Sequence, residues 1–176
     1  MIRYAAFLRG INVGGRKIVK MDELASAFTR LGLSNVRTHL QSGNVTFETA
    51  RGSRAGLERR IEKAMVGLMG DDVAVFLRTI MELEEILELD PFQGRRADGK
   101  AKRYVTFISR ELRKVPALPL FSPRRDVEII RIRGRDLFSE SHVIGGRYGF
   151  PNNFIESEFG VVATTRNWMT LKKIFE

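Results

Sequence analysis

Cysteine is absent from this chain of 176 residues, and histidine and tryptophan are scarce, with two residues and one residue respectively. The absence of cysteine excludes disulfide bonds, thiolate metal ligands and cysteine nucleophiles. The two histidines, His39 and His142, lie too far apart in the sequence to form a metal-binding motif. We therefore expect no metal ion and no cofactor.

Long hydrophobic runs are also missing. The apolar stretch near the N-terminus, residues 4–8, is far too short for the core of a signal peptide or for a membrane span. An apolar fraction of 43% and a charged fraction of 29% are ordinary for a globular protein and argue against a disordered chain. Together with the absence of cysteine, these features predict a cytoplasmic protein with no membrane partner.

The formal net charge of +9 is spread unevenly along the chain. Residues 1–90 hold 13 Lys and Arg against 12 Asp and Glu, a net charge of +1, whereas residues 91–176 hold 17 against 9, a net charge of +8. Such asymmetry is typical of proteins that bind nucleic acid or another polyanion. A solvated surface rich in arginine is the simpler interpretation, because no long lysine run or basic tail occurs. The cations that would contact phosphates are Arg95, Arg96, Lys100, Lys102, Arg124 and Arg125.

A glycine-rich, basic loop follows the first apolar run, with the sequence Arg9-Gly10-Ile11-Asn12-Val13-Gly14-Gly15-Arg16-Lys17. Gly10 and Gly15 keep the glycine spacing of a P-loop, but arginine replaces its lysine, and lysine replaces its serine or threonine. The glycines do not follow the G-x-G-x-x-G order of a dinucleotide-binding fold either. Two interpretations stay open. The loop binds an anion through backbone N–H groups and cations, or it is a tight strand-to-helix connection that needs glycine at positive φ.

The hydrophobic periodicity of the first half predicts the order strand, helix, strand, strand, helix, strand. The strands are expected at residues 2–8, 36–40, 45–47 and 73–77, and the helices at residues 21–31 and, capped by Ser53, across Leu57, Ile61, Met65 and Leu68. Two βα crossovers would pack both helices on one face of a four-stranded antiparallel sheet, the ferredoxin-like plan.

The second half repeats this plan loosely, and an acidic helix at residues 80–89 leads into it. Expected there are a strand at 104–108, a hairpin of 126–133 and 136–141, a helix at 152–159, a strand at 160–163 and a helix at 165–175. Thr164 and Thr165 would cap the last helix, with Arg166 and Asn167 in its first turn. The fold class is therefore α+β, two ferredoxin-like subdomains packed together, at residues 1–79 and, with the linking helix, residues 80–176.

The predicted topology brings two polar segments together. The first and second strands would be parallel, so the glycine-rich loop and the turn at residues 41–44 should lie at the same edge of the sheet. Gln41, Ser42 and Asn44 would then lie near Arg9 and Asn12. The same three residues could instead serve only to form a hairpin turn, with Asn44 or Gly43 at positive φ.

Three motifs occur together in this order: Arg9-Gly10-Ile11-Asn12-Val13-Gly14-Gly15, Gln41-Ser42-Gly43-Asn44-Val45 and Thr164-Thr165-Arg166-Asn167-Trp168-Met169-Thr170. By these motifs the chain resembles the bacterial family labelled domain of unknown function 1697 (DUF1697), over residues 2–174. The resemblance implies two ferredoxin-like subdomains and brings no established activity with it. Residues 111–122 depart from the family pattern, since proline replaces a clear helix there.

The leading hypothesis is that the chain binds a phosphate-bearing or other anionic small ligand where the three motifs meet. The cations would supply charge, the amides and the hydroxyl would orient the ligand, and the glycines would allow close approach of the backbone. The candidate ligand-binding residues are Arg9, Asn12, Gly14, Gly15, Lys17, Gln41, Ser42, Asn44, Arg166 and Asn167.

Two other hypotheses belong to different classes. One is a non-specific nucleic-acid-binding module that uses the basic C-terminal half. A specific RNA-recognition motif does not fit, because Tyr104 and Phe107 would lie on opposite faces of their strand and the glycine of the motif is missing. The other is an enzyme acting on a small phosphorylated metabolite, for which no acid or base can be assigned. His39 is expected to be a partly exposed sheet residue, and Ser42 lacks the G-x-S-x-G elbow.

Overall fold

The computed structural model describes residues 1–50, 52–95 and 99–175 of the chain. These residues form α-helices and antiparallel sheets, which confirms the α+β class. The chain divides into two compact units, Met1–Glu85 and Ile86–Glu176. The domain limits expected from the sequence, at residues 79 and 80, stay a prediction, because compactness alone does not establish independent folding.

The first unit runs strand, helix, strand, strand, helix, strand, the order predicted from the periodicity. Its elements are β1 (Ile2–Leu8), α1 (Met21–Arg30), β2 (Ser34–His39), β3 (Asn44–Thr49), α2 (Arg54–Met69) and β4 (Val75–Thr79). The acidic helix α3 (Ile80–Leu89) follows at the expected position.

The four strands of this unit form one antiparallel sheet in the order β2-β3-β1-β4. Tyr4 of β1 lies opposite Phe47 of β3 on one side and Thr79 of β4 on the other. Since β1 and β2 both run antiparallel to β3, they are parallel to each other. The segments that follow β1 and β2 therefore emerge at the same edge of the sheet, and this placement positions the candidate site.

An apolar cluster joins the two helices to the sheet. Leu24 and Phe28, four residues apart on α1, share one helix face and are fully buried with Ile61 of α2. The rings of Phe28 and Phe47 have centroids 5.5 Å apart in a tilted arrangement. The Ser53 hydroxyl accepts a hydrogen bond from the Gly56 N–H, which confirms the predicted cap of α2.

The second unit contains a five-stranded antiparallel sheet in the order β11-β5-β8-β7-β6. Its elements are β5 (Lys102–Ile108), β6 (Leu120–Phe121), β7 (Val127–Arg133), β8 (Asp136–Ser141), β9 (Val143–Ile144), β10 (Arg147–Tyr148), α4 (Pro151–Phe159), β11 (Ala163–Asn167) and α5 (Trp168–Lys172). The hairpin of β7 and β8 around Gly134 is the one that the sequence predicts. Ile155 of α4 packs with Ile108 and Ile129 on one face of the sheet.

Residues 109–119, all of which the structure describes, contain no helix. Proline lacks a backbone N–H and fixes φ, so Pro116 and Pro119 oppose a helix here. A two-residue edge strand, β6, ends the segment and pairs with β7. The connection between β5 and β7 therefore differs from the helical connection between β1 and β2.

Two elements near the C-terminus were predicted wrongly. The strand expected at residues 160–163 is β11, which spans Ala163–Asn167, and the helix expected at 165–175 is α5, which begins only at Trp168. Thr164 and Thr165 are strand residues and not helix caps, and Arg166 is not in a helical turn. Threonine is favoured both at helix caps and in strands, and pairing with β5 selects the strand.

The helices of the described residues are short. The 16-residue α2 is the longest of them. No helix in the described ranges is long and apolar enough to cross a membrane.

The position of Gly43 gives a testable prediction about the turn that joins β2 to β3. Gly43 is buried with a φ of 71°, and a Cβ built there would lie 3.2 Å from the Cβ atoms of both Leu8 and Ile11. Gly43→Ala therefore has two costs, the strain of a non-glycine residue in the left-handed region and the close contact of its Cβ. We expect a loss of unfolding free energy of about 2–3 kcal/mol. Urea unfolding followed by circular dichroism measures it.

Gly10→Ala is the matched control. Gly10 has the same φ of 71°, but nothing lies within 4 Å of its added Cβ. This variant carries the backbone strain alone and should lose about 1 kcal/mol. Equal losses for the two variants would contradict the close approach at Gly43.

Candidate functional site

The glycine-rich loop and the β2–β3 turn meet at one edge of the first sheet, as the parallel run of β1 and β2 requires. The Leu8 N–H donates to the Gly43 carbonyl at 2.9 Å, and the Arg9 N–H donates to the Ala74 carbonyl at 2.9 Å. The loop is thus fixed on both sides, by the turn and by the residue before β4. The convergence predicted from the topology is present.

Asn12 ties the loop to its surroundings through its side-chain amide. Its Nδ2 donates to the carbonyls of Val19 at 3.1 Å and Gln41 at 3.0 Å, and its Oδ1 accepts from the Val19 N–H at 2.9 Å. Asn12 itself has a φ of 55°, a conformation that asparagine tolerates better than most residues. Both amide protons are used, so the side chain has a structural role.

Lys17 is also engaged inside the first unit. Its Nζ donates to the Asp72 carbonyl and lies 3.4 Å from the Asp71 carboxylate. The charge that the sequence assigns to a ligand is thus partly offset by Asp71. The Arg9 side chain is half-buried and has interactions of its own.

The turn contributes one exposed polar side chain and one fully buried one. Asn44, at the start of β3, is fully buried, and its Nδ2 donates to the His39 carbonyl at 3.1 Å and to the Ser42 Oγ at 2.8 Å. Gln41 is exposed. Positive φ occurs at Gly43 and also at Leu40, not at Asn44. Asn44 therefore holds the turn from inside, and Gln41 is the turn residue that faces solvent.

A cleft of about 540 Å³ opens between the loop, the turn and the start of α1. This is within the usual range for pockets that hold a small ligand. Its lining includes Asn12, Gly15, Ile18, Lys20, Asp22 and Gln41. Gly14 lies beside it in the loop, and both Gly14 and Gly15 have positive φ.

The start of α1 forms one wall of this cleft. Lys20 occupies the N-cap position, where its side chain makes no capping hydrogen bond because an ammonium group has no acceptor. Asp22 and Glu23 stand in the first turn and complement the positive end of the helix dipole. The wall thus presents one exposed cation next to a helix N-terminus.

His39 lies in β2 and is half-buried, as expected from the sequence. Its Nε2 is 2.8 Å from the Thr46 hydroxyl. Burial, and then the charges of Arg3 and Arg37, lower the pKa of His39 below its ordinary value. The neutral imidazole is therefore favoured, and its position is that of a cross-strand hydrogen-bonding residue.

Arg166 and Asn167, the candidates from the third motif, belong to the second unit. Arg166 is buried in β11 opposite Val105, and its Nη1 donates to the Thr164 hydroxyl at 2.8 Å and to the Thr165 carbonyl at 3.0 Å. Burial lowers the pKa of Arg166 to about 10, so the guanidinium stays charged at neutral pH. The Asn167 Oδ1 accepts from the Met169 N–H at 2.9 Å and caps α5. A ligand-binding role for these two residues stays a prediction.

Arg95, one of the cations proposed to contact nucleic acid, is committed to two buried carboxylates. Its Nη2 donates to Glu128 at 2.6 Å and its Nε to Glu140 at 2.8 Å, while Arg103 donates to Glu140 at 3.1 Å. Glu128 and Glu140 lie directly opposite each other on β7 and β8, so their charges need this neutralisation. His142 joins the group, with Nε2 3.5 Å from Glu128. Arg96, the neighbouring candidate, lies outside the described residues.

Glu128, Glu140 and His142 could each offer one ligand atom to a metal ion, and these atoms lie within 4.8 Å of one another. This grouping cannot be read from the spacing of the residues, because they come from two strands and the segment after them. Guanidinium groups already bind both carboxylate oxygens of Glu140 and the Oε2 of Glu128. The arrangement is therefore an ion-pair network that fixes the segment around Arg95 to the sheet.

A small hairpin of β9 and β10 was missed by the sequence analysis. Val143 lies opposite Tyr148, and Ile144 lies opposite Arg147, with Gly145 and Gly146 in the turn. The Gly-Gly pair between short apolar segments is a recognised hairpin signal that could have revealed it. The hairpin presents aromatic and cationic side chains to solvent.

Comparison with known proteins places the chain in a recognised group. A family model described as "Protein of unknown function (DUF1697)" matches residues 1–138. Among solved structures, the conserved bacterial protein SP0830 from Streptococcus pneumoniae is similar, with a TM-score of 0.65 and 24% identity over 98% of this chain and 96% of that chain. At this identity the likeness shows the fold alone. No curated protein matches the chain significantly.

The hydrogen bonds of Asn12 lead to a stability prediction. Asn12→Asp keeps the shape but replaces both donors by an acceptor, so the carbonyls of Val19 and Gln41 would face a carboxylate. We expect a loss of unfolding free energy of about 1–3 kcal/mol, together with faster amide exchange across residues 10–19. Asn153→Asp, the same change at an exposed position of α4, is the control and should cost little. An unchanged stability for Asn12→Asp would show that the amide does not hold the loop.

The ion-pair network leads to a second prediction. Arg95→Gln leaves the buried Glu128 and Glu140 without their main cation, and we expect a loss of about 2–4 kcal/mol in urea unfolding at neutral pH. The control is Arg124→Gln, which removes an exposed arginine paired with Asp126 at 3.8 Å and should cost less than about 0.5 kcal/mol. Similar losses for both variants would contradict the network.

Proposed function

We propose that this chain, which belongs to the DUF1697 family, binds a small phosphate-bearing or otherwise anionic ligand in the cleft beside its glycine-rich loop. The observation that carries the proposal is the position of Lys20. Lys20 lines the cleft at the N-cap position of α1. The backbone N–H groups of the first helical turn have no acceptor within the helix, and the Lys20 side chain cannot accept a hydrogen bond from them.

The charges around the cleft set the kind of ligand that fits. Lys20 and Arg16 are exposed beside Gly15, whereas Asp22 and Glu23 already complement the helix dipole. The two cations would stabilise an anion here more than the helix dipole would, because the carboxylates in the first turn partly neutralise the positive end of the dipole. A cleft of about 540 Å³ has the size of a small-ligand pocket, so the proposed occupant is a small anion and not an extended polyanion.

The predicted site residues divide into two roles under this proposal. Asn12, Lys17 and Asn44 hold the loop and the turn in place through internal contacts. Gln41 and Gly15 line the cleft together with Asn12, and they are the two of these three that would touch the ligand without giving up an internal side-chain hydrogen bond. Contacts from Arg9, Gly14 and Ser42, and from Arg166 and Asn167, stay predictions.

The proposal is one of binding and assigns no reaction. Among the described residues that line the cleft, the ionisable side chains are Lys20 and Asp22, and neither has a partner there that would assign it a role in proton transfer. His39 makes a hydrogen bond to Thr46 within the sheet. A cytoplasmic location, inferred from the sequence, goes with the proposal.

The test compares Lys20→Glu with Lys63→Glu, which makes the same charge change at an exposed position of α2. Inorganic phosphate, pyrophosphate, nucleotides, sugar phosphates and citrate are screened by thermal shift, and ligands that stabilise the protein are titrated by calorimetry. We expect the affinity of such a ligand to fall about tenfold or more in Lys20→Glu, because a charge-assisted hydrogen bond is lost, and to stay unchanged in Lys63→Glu.

Lys20→Gln separates charge from repulsion, since it removes the cation without adding an anion. It should lose most of the affinity that Lys20→Glu loses. If none of these anions raises the melting temperature, or if a bound anion is held equally by all three variants, the proposal is wrong and the loop is an architectural connection.

A further inference from the structure

The β9–β10 hairpin carries an unusual concentration of exposed apolar side chains in the second unit. Within residues 143–150, Val143, Ile144, Tyr148 and Phe150 are large hydrophobic residues open to solvent, with Tyr148 37% and Phe150 54% exposed. Val143 and Tyr148 lie directly opposite each other and share one face of the hairpin, whereas Ile144 is on the other face, opposite Arg147. We call residues 143–150 together with Lys100 and Lys102 the hairpin surface.

A cation lies over one aromatic ring of this surface, and a second cation is its neighbour in the chain. The Lys102 Nζ lies 4.1 Å from the centroid of the Tyr148 ring, and the Tyr148 hydroxyl donates to the Lys100 carbonyl at 3.0 Å. Arg147 precedes Tyr148 and is exposed. Burial, and then the charge of Tyr148, raise the pKa of Tyr104, which lies two residues after Lys102. The surface thus combines aromatic rings with positive charge.

The nearby acidic side chains have other partners. Asp126 accepts a hydrogen bond from the Ser122 hydroxyl at 2.7 Å and faces Arg124, and Glu128 and Glu140 are neutralised by arginine. Lys102 is not among the cations that pair with these three carboxylates. The surface has the sign that complements a phosphate backbone.

The base of the hairpin is fixed to the sheet. The His142 N–H donates to the Asp126 carbonyl at 2.8 Å, and Gly149 lies so close to Asp126 that a Cβ there would come within 2.7 Å of it. Phe150 follows as the N-cap residue of α4. The rings are therefore presented from a firm base, and binding would need little ordering of the chain.

We propose that the hairpin surface binds single-stranded nucleic acid, with bases stacked on the exposed rings of Tyr148 and Phe150 and phosphates contacted by Lys100, Lys102 and Arg147. Unstacked bases have π-faces that pair with aromatic rings, and their phosphates lie within reach of neighbouring cations. Bases inside a duplex are stacked on one another and cannot use these rings.

A membrane surface fits the same residues less well. Lys102 lies over the ring of Tyr148, so burying that ring in a bilayer would also take the ammonium group of Lys102 out of water. A phosphodiester backbone pairs with this charge while the base contacts the ring. Because the cation and the aromatic ring lie in contact, the surface suits a single strand of nucleic acid better than a membrane.

The experiment measures fluorescence anisotropy of labelled oligothymidylate, oligouridylate and a duplex of the same length, with the whole chain, at several salt concentrations. We expect both single strands to bind more tightly than the duplex, with an affinity that falls as salt rises. Phe150→Ala should weaken single-strand binding about fivefold or more, since one stacking partner is lost. Arg147→Ala should reduce the slope of log affinity against log salt by about 0.7.

Matched controls lie in the same unit. Met169→Ala removes a comparably exposed apolar side chain from α5, and Arg113→Ala removes an exposed arginine from the segment between β5 and β6. Both should bind as the unaltered chain does. Tyr148→Phe keeps the ring under Lys102 and loses only the hydroxyl, so it should also retain binding.

Three results would overturn the inference. They are a failure of every oligonucleotide to bind, binding that Phe150→Ala and Arg147→Ala leave unchanged, and binding to vesicles of anionic phospholipid that depends on Phe150 while single strands do not bind. Circular dichroism confirms that each variant is folded. These outcomes are independent of Lys20, so the inference and the proposed function can fail separately.

Discussion

The side-chain amide of Asn12 is the interaction on which the loop edge of the first sheet depends. It bonds to Val19, just before α1, and to Gln41, in the turn between two strands. Three segments that share no regular secondary structure thereby become one connected piece. A loop with three glycines has high conformational entropy when unfolded, so a specific set of hydrogen bonds is needed to hold one conformation. The cleft exists because this set is complete.

In the second unit, ion pairs and not amide hydrogen bonds hold an irregular segment to the sheet. Glu128 and Glu140 face each other on neighbouring strands with little exposure to water, and two like charges in such a place are unfavourable alone. Arg95 bridges both carboxylates, and Arg103 adds a second cation. Part of the chain's excess of arginine is therefore structural. The net charge of the second half therefore overstates the positive charge that is left on its surface for a partner.

The sequence predicts well those elements whose signals are local. The periodicity of Leu24 and Phe28, the Ser53 cap and the Gly134 turn each depend on a few neighbouring residues, and all are present. It fails at Thr164 and Thr165, which suit a helix cap or a strand equally well until β5 is available for pairing. The role of Asn12 depends on the Gln41 carbonyl, 29 residues away, and spacing along the chain carries no information about it.

The residues of the glycine-rich motif are not all residues of the candidate ligand site. The sequence predicts that Lys17 supplies charge to a ligand and that Asn12 and Asn44 orient it, and in the structure each of these side chains is bonded to the backbone of its own unit. A backbone that relies on glycine needs polar side chains to satisfy its carbonyls and N–H groups, so the glycine and the amide occur together for architectural reasons. Under the proposed function, the residues that would face a ligand are those left exposed after that requirement is met. In the first unit these include Gln41, a residue of the second motif, and Lys20, which follows the glycine-rich loop.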